Sequence, residues 1–196
     1  ERTRPARTVK AARVAAAHGP QAHGPAAGIE SMQKVLRCFQ GSVRTATCCL
    51  ECECSTNEHD EIFTTLSISC GHSKCDDAGR SVASGLADYF RVERMRGSNK
   101  VFCTDHCNAL AEAHRQTRLA ILPAMLCVQL KMLEESSSQA IAVDQELELQ
   151  PWCSVATNQC TKYQLVAAVF HTGNSPQCGH YLAYCRTNVA ERRMPC

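Results

Sequence analysis

Apolar residues fill both alternations of the stretch 163–170. Tyr163, Leu165, Ala167 and Val169 fall on one side of an extended chain, and Val166, Ala168 and Phe170 on the other. Successive side chains of a strand point to opposite faces, so this pattern predicts a central strand that wants cover on both sides. Thr172-Gly173-Asn174-Ser175-Pro176 is turn chemistry, and Tyr181-Leu182-Ala183-Tyr184 resumes the extended pattern. The segment 163–186 therefore predicts a hairpin with His180 at its mouth, between Gly179 and Tyr181. The same reading predicts a helix at about 30–38, strands at 42–49 and 62–69, and a helix at 82–91. Strands near 100–103, 124–131 and 140–149 complete the layout. Ala109 to Ala120 is rich in helix formers, and its pattern alone is ambiguous.

Charge changes the picture at one end only. Residues 1–28 carry five basic residues (Arg2, Arg4, Arg7, Lys10, Arg13) against Glu1, a net of +4. The rest of the chain has 16 basic and 18 acidic residues, a net of −2, so the overall +2 belongs to the tail and does not argue for nucleic-acid binding. The tail is mostly Ala, Arg, His, Gly and Pro, and is expected to be disordered or artefactual and to stay out of the core. No apolar run approaches the ~20 residues that cross a bilayer as a helix. The expectation is a soluble protein without membrane association.

Fifteen cysteines among 196 residues need an account. An odd count and the tandem Cys48-Cys49 argue against a disulfide framework. Cys49-x-x-Cys52 and Cys103-x-x-x-Cys107 instead have the form of two metal knuckles, each offering two soft donors to a tetrahedral zinc ion, in a chain whose thiols stay reduced inside the cell. The longer second gap leaves His106 as an alternative to Cys107 for the fourth position. Cys70-Gly71-His72-Ser73-Lys74-Cys75 is a weaker candidate for a second site, and Cys48 and Cys54 are expected to be bystanders.

These pieces, in this order, resemble the ubiquitin-specific proteases. An apolar strand followed by His171-x-Gly173, a polar turn and Gly179-His180-Tyr181 is similar to that family's histidine box. Ser31 to Gly41 is similar to its helix and Phe-x-Gly turn, and Cys49-Leu50-Glu51-Cys52 with Phe63 to Ile68 to its first knuckle and next strand. Asn99 to Cys107, then Leu122-Pro123 to Lys131, resembles the second knuckle and the strand after it. The resemblance implies an α+β fold: an incomplete papain-like cysteine peptidase with a palm and zinc-ribbon-like fingers, mainly antiparallel sheet. It implies domains at 29–196, with fingers over 49–122 and palm over 123–196, and makes Ala109–Ala120 a strand. His180 would be the general base, with His171 on a loop near the substrate's C-terminal tail and Gly179 and Tyr181 beside the substrate. Cys49, Cys52, Cys103 and Cys107 would hold structural zinc.

The implied activity is thiol-dependent hydrolysis of isopeptide bonds at the C-terminal glycine of ubiquitin, with ubiquitin and ubiquitinated proteins as partners in the cytoplasm or nucleus. The family's Gly-Asn-x-Cys-Tyr type nucleophile box does not occur in this sequence, and Asn188 falls too soon after His180 for the third catalytic position. Cys178, two residues from His180, would lie about 6.6 Å from it along an extended chain. The chain as given is thus expected to be inactive alone. The competing readings are a non-catalytic, zinc-stabilised ubiquitin-binding module and a zinc-structured interaction domain unrelated to ubiquitin.

Overall fold

The computed structural model describes residues 9–17, 29–70, 80–131, 141–154, 160–175 and 178–186. The apolar run at 163–170 lies within β11 (Lys162–Ser175). Its two edges are both occupied. β1 (Val9–Ala17) pairs along one, while β10 (Glu146–Glu148) and β12 (Cys178–Cys185) share the other. β1 pairs in turn with β9 (Met125–Lys131), and β9 runs parallel to β4 (Leu66–Ser69) at the far edge. All other pairings in this six-stranded sheet are antiparallel.

One face of that sheet makes the core. In β9, Leu126, Val128 and Leu130 are buried while the alternate positions are half-buried, so only one face is fully covered. The cover is α2 (Val82–Tyr89), whose Val82 and Leu86 join Leu66, Ile68 and Tyr163 in one cluster. Ser81 starts the helix with a capping box to Ser84, and Asp144 accepts a hydrogen bond from the Ala83 amide at 2.9 Å. Gly85 lets the helix come close: a Cβ there would lie 3.0 Å from both Cys70 Sγ and Ile68 Cδ1. Deeper in, the buried Tyr163 hydroxyl donates to the Pro123 carbonyl at 2.5 Å. Tyr163→Phe leaves that buried acceptor unsatisfied and is expected to cost about 1–3 kcal/mol in urea unfolding. An unchanged midpoint would refute this.

A second sheet has the order β3 (Ser55–Phe63), β2 (Gly41–Cys49), β8 (Ala113–Ile121), β5 (Glu93–Met95). A short hairpin, β6 (Val101–Cys103) with β7 (Ala109–Ala111), stands beside it. Helix α1 (Ile29–Phe39) leads into β2.

Several expectations change. Val9–Ala17 lies inside the tail expected to be disordered, yet its backbone pairs on both sides. Composition gave no core to this stretch; the slot between β9 and β11 supplies hydrogen-bond partners for both of its edges. The strand expected at 62–69 is broken at Thr64–Thr65, which sends Phe63 to one sheet and Leu66 to the other. The strand expected over 140–149 is confined to 146–148. Ala109–Ala120 is extended, as the resemblance implied, because β8 is held between β2 and β5.

Candidate functional site

Two constellations carry chemistry. The first closes the ends of the finger strands. β2 runs to Cys49, whose amide donates to the Cys54 carbonyl at 3.0 Å, and the next amide, Leu50, donates to the Glu112 carbonyl at 2.8 Å. The chain thus folds back within a few residues and presents Cys49 and Cys52 together. The β6–β7 turn does the same for Cys103 and Cys107. In each knuckle the residue after the second cysteine is left-handed, Glu53 at φ 59° and Asn108 at φ 47°. A non-glycine residue in this region is uncommon, and here it allows the tight return.

The four sulfurs lie within 4.8 Å of one another, with Cys49 Sγ 3.9 Å from Cys107 Sγ and Cys52 Sγ 3.7 Å from Cys103 Sγ. A tetrahedral ion with sulfur at about 2.3 Å needs sulfur–sulfur edges of about 3.8 Å. The cluster fits that requirement, and its four cysteines can hold a metal ion. Cys107 is in the cluster. His106 has an exposed side chain and contributes its backbone amide, which together with that of Cys107 hydrogen-bonds Cys103 and pulls its thiol down to about 6. The Cys54 amide lowers Cys52, but burial and the Cys49, Cys103 and Cys107 thiols outweigh it and raise Cys52 well above an ordinary thiol. One sulfur is thus prepared as an anion while Cys52 and Cys107 resist adding more negative charge, an arrangement that a cation relieves. Cys48 and Cys54 stay outside, bonded to the backbone carbonyls of Glu53 and Cys52. The candidate at Cys70–Cys75 lies mostly in 71–79, outside the described residues. All thirteen described cysteines are free thiols.

The second constellation is the β11–β12 hairpin. His180 pairs with Thr172, whose hydroxyl donates to the His180 carbonyl at 3.2 Å, and the residue is exposed. His171 sits differently from expectation. It lies within β11 rather than on a loop, is 4% exposed, and packs its ring 4.9 Å from that of Tyr181. The strand continues past the histidine and turns its side chain inward. That ring also explains Gly179, where a Cβ would stand 2.5 Å from His171 Nε2 and collide with the Thr172 carbonyl oxygen. The glycine accommodates a neighbour in the same hairpin. Gly179→Ala is expected to destabilise by about 1–3 kcal/mol through overpacking, and His171→Ala in the same chain to recover only part, since the carbonyl remains. Full recovery would show that the ring alone is the obstacle. Among the described residues no thiol is hydrogen-bonded to His180. Cys178 and Cys185 are both exposed in β12, and Asn188 lies outside the described residues.

A papain-like palm joined to knuckle-ended fingers is the architecture these elements compose. A family model described as ubiquitin carboxyl-terminal hydrolase matches residues 25–192, and the chain belongs to that family, as a ubiquitin-specific protease domain. It is 32% identical over 154 residues to ubiquitin carboxyl-terminal hydrolase 13 of Saccharomyces cerevisiae, covering 76% of this chain and 20% of that protein. It is 30% identical over 158 residues to ubiquitin carboxyl-terminal hydrolase 12 of Salmo salar, covering 76% of this chain and 40% of that one. The chain therefore spans a fifth to two fifths of those relatives. Among solved structures, it is similar to the SAGA DUB module Ubp8/Sgf11/Sus1/Sgf73 bound to monoubiquitin, with 24% identity, a TM-score of 0.62, and 77% of this chain and 34% of that chain covered. Among the described residues no helix is long and apolar enough to cross a membrane.

Proposed function

We propose that the whole protein is a cysteine-type deubiquitinase that cleaves isopeptide bonds at the C-terminal glycine of ubiquitin, and that His180 is its general base. The observation that carries this reading is the exposed imidazole at position 180 in a chain of this family. His180 takes the proton of a cysteine thiol that lies outside residues 1–196. The thiolate attacks the carbonyl carbon, and the imidazolium returns the proton to the leaving lysine amine. Water then attacks the thioester, with the same ring as base. Gly179 and Tyr181 line the approach to the ring, and His171 braces the hairpin from behind. By itself the 196-residue chain is inert, since its sequence contains no Gly-Asn-x-Cys box.

Zinc is the ion proposed for Cys49, Cys52, Cys103 and Cys107, where it joins two hairpins as a structural link in fingers spanning 49–122, set on a palm spanning 123–196. Ubiquitin and ubiquitinated proteins are the partners in an intracellular, cytoplasmic or nuclear compartment, without nucleic acid or membrane.

The test is His180→Ala in the full-length protein. Loss of the base is expected to lower kcat/KM on a ubiquitin substrate by 10²-fold or more, consistent with the roughly 10²–10⁴-fold worth of general acid–base catalysis. A ubiquitin vinyl sulfone probe should label the full-length protein at a cysteine and leave the 196-residue chain unlabelled. Wild-type turnover in the variant would overturn the assignment. Binding of ubiquitin by a full-length protein that resists the probe would favour a non-catalytic ubiquitin-binding module.

A further inference from the structure

The finger-end thiols have a second chemistry that metal binding leaves unused. All four sulfurs lie within 4.8 Å of one another, and two close contacts run between the hairpins: Cys49 to Cys107 at 3.9 Å and Cys52 to Cys103 at 3.7 Å. Closing either to a disulfide of about 2.05 Å needs the sulfurs to approach by under about 2 Å. Burial divides each pair alike. Cys49 and Cys103 are each 2% exposed, while their partners Cys107 and Cys52 are only half-buried. Each pair therefore couples one thiol that a small oxidant can reach to one that it cannot.

We propose that the metal-free finger is a peroxide-oxidisable site that closes two bridges between the hairpins, Cys49 to Cys107 and Cys52 to Cys103, rather than a bridge within either knuckle. Hydrogen peroxide transfers one oxygen to the half-buried sulfur, giving a sulfenic acid and one water. The buried partner attacks that sulfur, expels the oxygen as a second water, and forms the S–S bond. Each bridge thus gives two electrons to one peroxide. The bridges connect the same hairpins that the metal connects, so oxidation replaces one link with another and removes the ligands. Rebinding then requires a dithiol reductant. The inference uses the cluster on which the zinc reading rests, but the pairing does not depend on which ion, if any, the cluster takes.

The experiment uses the 196-residue chain, reduced, stripped with a chelator, desalted and treated with hydrogen peroxide. Glu51 separates Cys49 from Cys52, and Asp105 separates Cys103 from Cys107, so cleavage at acidic residues followed by mass spectrometry distinguishes the pairings of these four, and fragmentation of the linked peptides assigns Cys48 or Cys49. The expected result is linkage of 49 to 107 and 52 to 103. Zinc uptake, read with a chromogenic indicator, should fall at least ten-fold and return with dithiothreitol. Zinc-loaded chain should form the bridges at least ten-fold more slowly. Linkage of 49 to 52 or 103 to 107, scrambling into Cys48 or Cys54, or sulfinic acids without bridges would overturn the proposal. If the reduced chain takes up no zinc, the metal reading fails on its own, and the bridge map still decides the proposal.

Discussion

Removing the metal from the four-cysteine cluster at neutral pH is expected to leave the finger ends opening and closing locally, with peroxide trapping the closed form, while the larger sheet stays folded. The reason is the poverty of the local core. Its buried members are Cys49, Cys103 and Ala111, packed against Cys52 and Cys107, so apart from the thiols only one methyl group is there to be buried. Apolar burial of that size contributes about 1 kcal/mol, against the roughly 10–16 kcal/mol apparent at neutral pH when a structural zinc ion binds four ligands. Amide exchange in 49–54 and 101–111 should speed up by several orders of magnitude on chelation, with β9 and β11 little changed. Cys103→Ala should behave like the stripped protein. Acid should do the same. The metal is held by thiolates, so protons compete with it for the sulfurs and its hold on the finger ends weakens as pH falls. Uniform protection across the chain after complete metal removal would show that the fingers stand without a metal link.

Ile68→Ala is expected to be the most damaging single truncation in the larger sheet. Ile68 is fully buried in β4, paired in register with Leu130 and lying against the helix at Gly85. Both neighbours are pinned, one by the parallel ladder and the other by the capped start of α2, so the site cannot collapse around the void. A cost of about 2–5 kcal/mol follows, which for a protein of this size lowers the melting temperature by roughly 5–15 °C. Ile62→Ala removes the same atoms from a position 71% exposed in β3 and should stay within about 0.5 kcal/mol. Equal losses from the two variants would mean that this cluster is not the principal core.

The parts legible in the sequence were those where pattern and burial coincide. β2, β9 and α2 lie where apolar spacing places them, as do both strands of the β11–β12 hairpin, except that Thr172 to Ser175, expected as turn, continue β11 with a bulge against β12; the knuckle cysteines were visible from spacing alone. β3 was missed over most of its length because Glu58, His59, Asp60 and Glu61 are all exposed, leaving no alternation to read. Its stability comes from pairing with β2 and from Arg44, which donates to Asp60 at 2.7 and 2.9 Å. The inward turn of His171 was equally hidden, since a histidine beside turn residues gives no sign of its face. Gly179 was the available clue. A glycine at that register makes room for something close, and the occupant proved to be the ring across the ladder.

The insertion of β1 between β9 and β11 has a consequence for biosynthesis. β1 leaves the ribosome well before its partners, which begin about 110 and 145 residues later. At roughly 5–20 residues per second, it waits many seconds before either partner exists. During that interval the middle of the sheet is unfinished, and nascent-chain chaperones have their longest opportunity to engage.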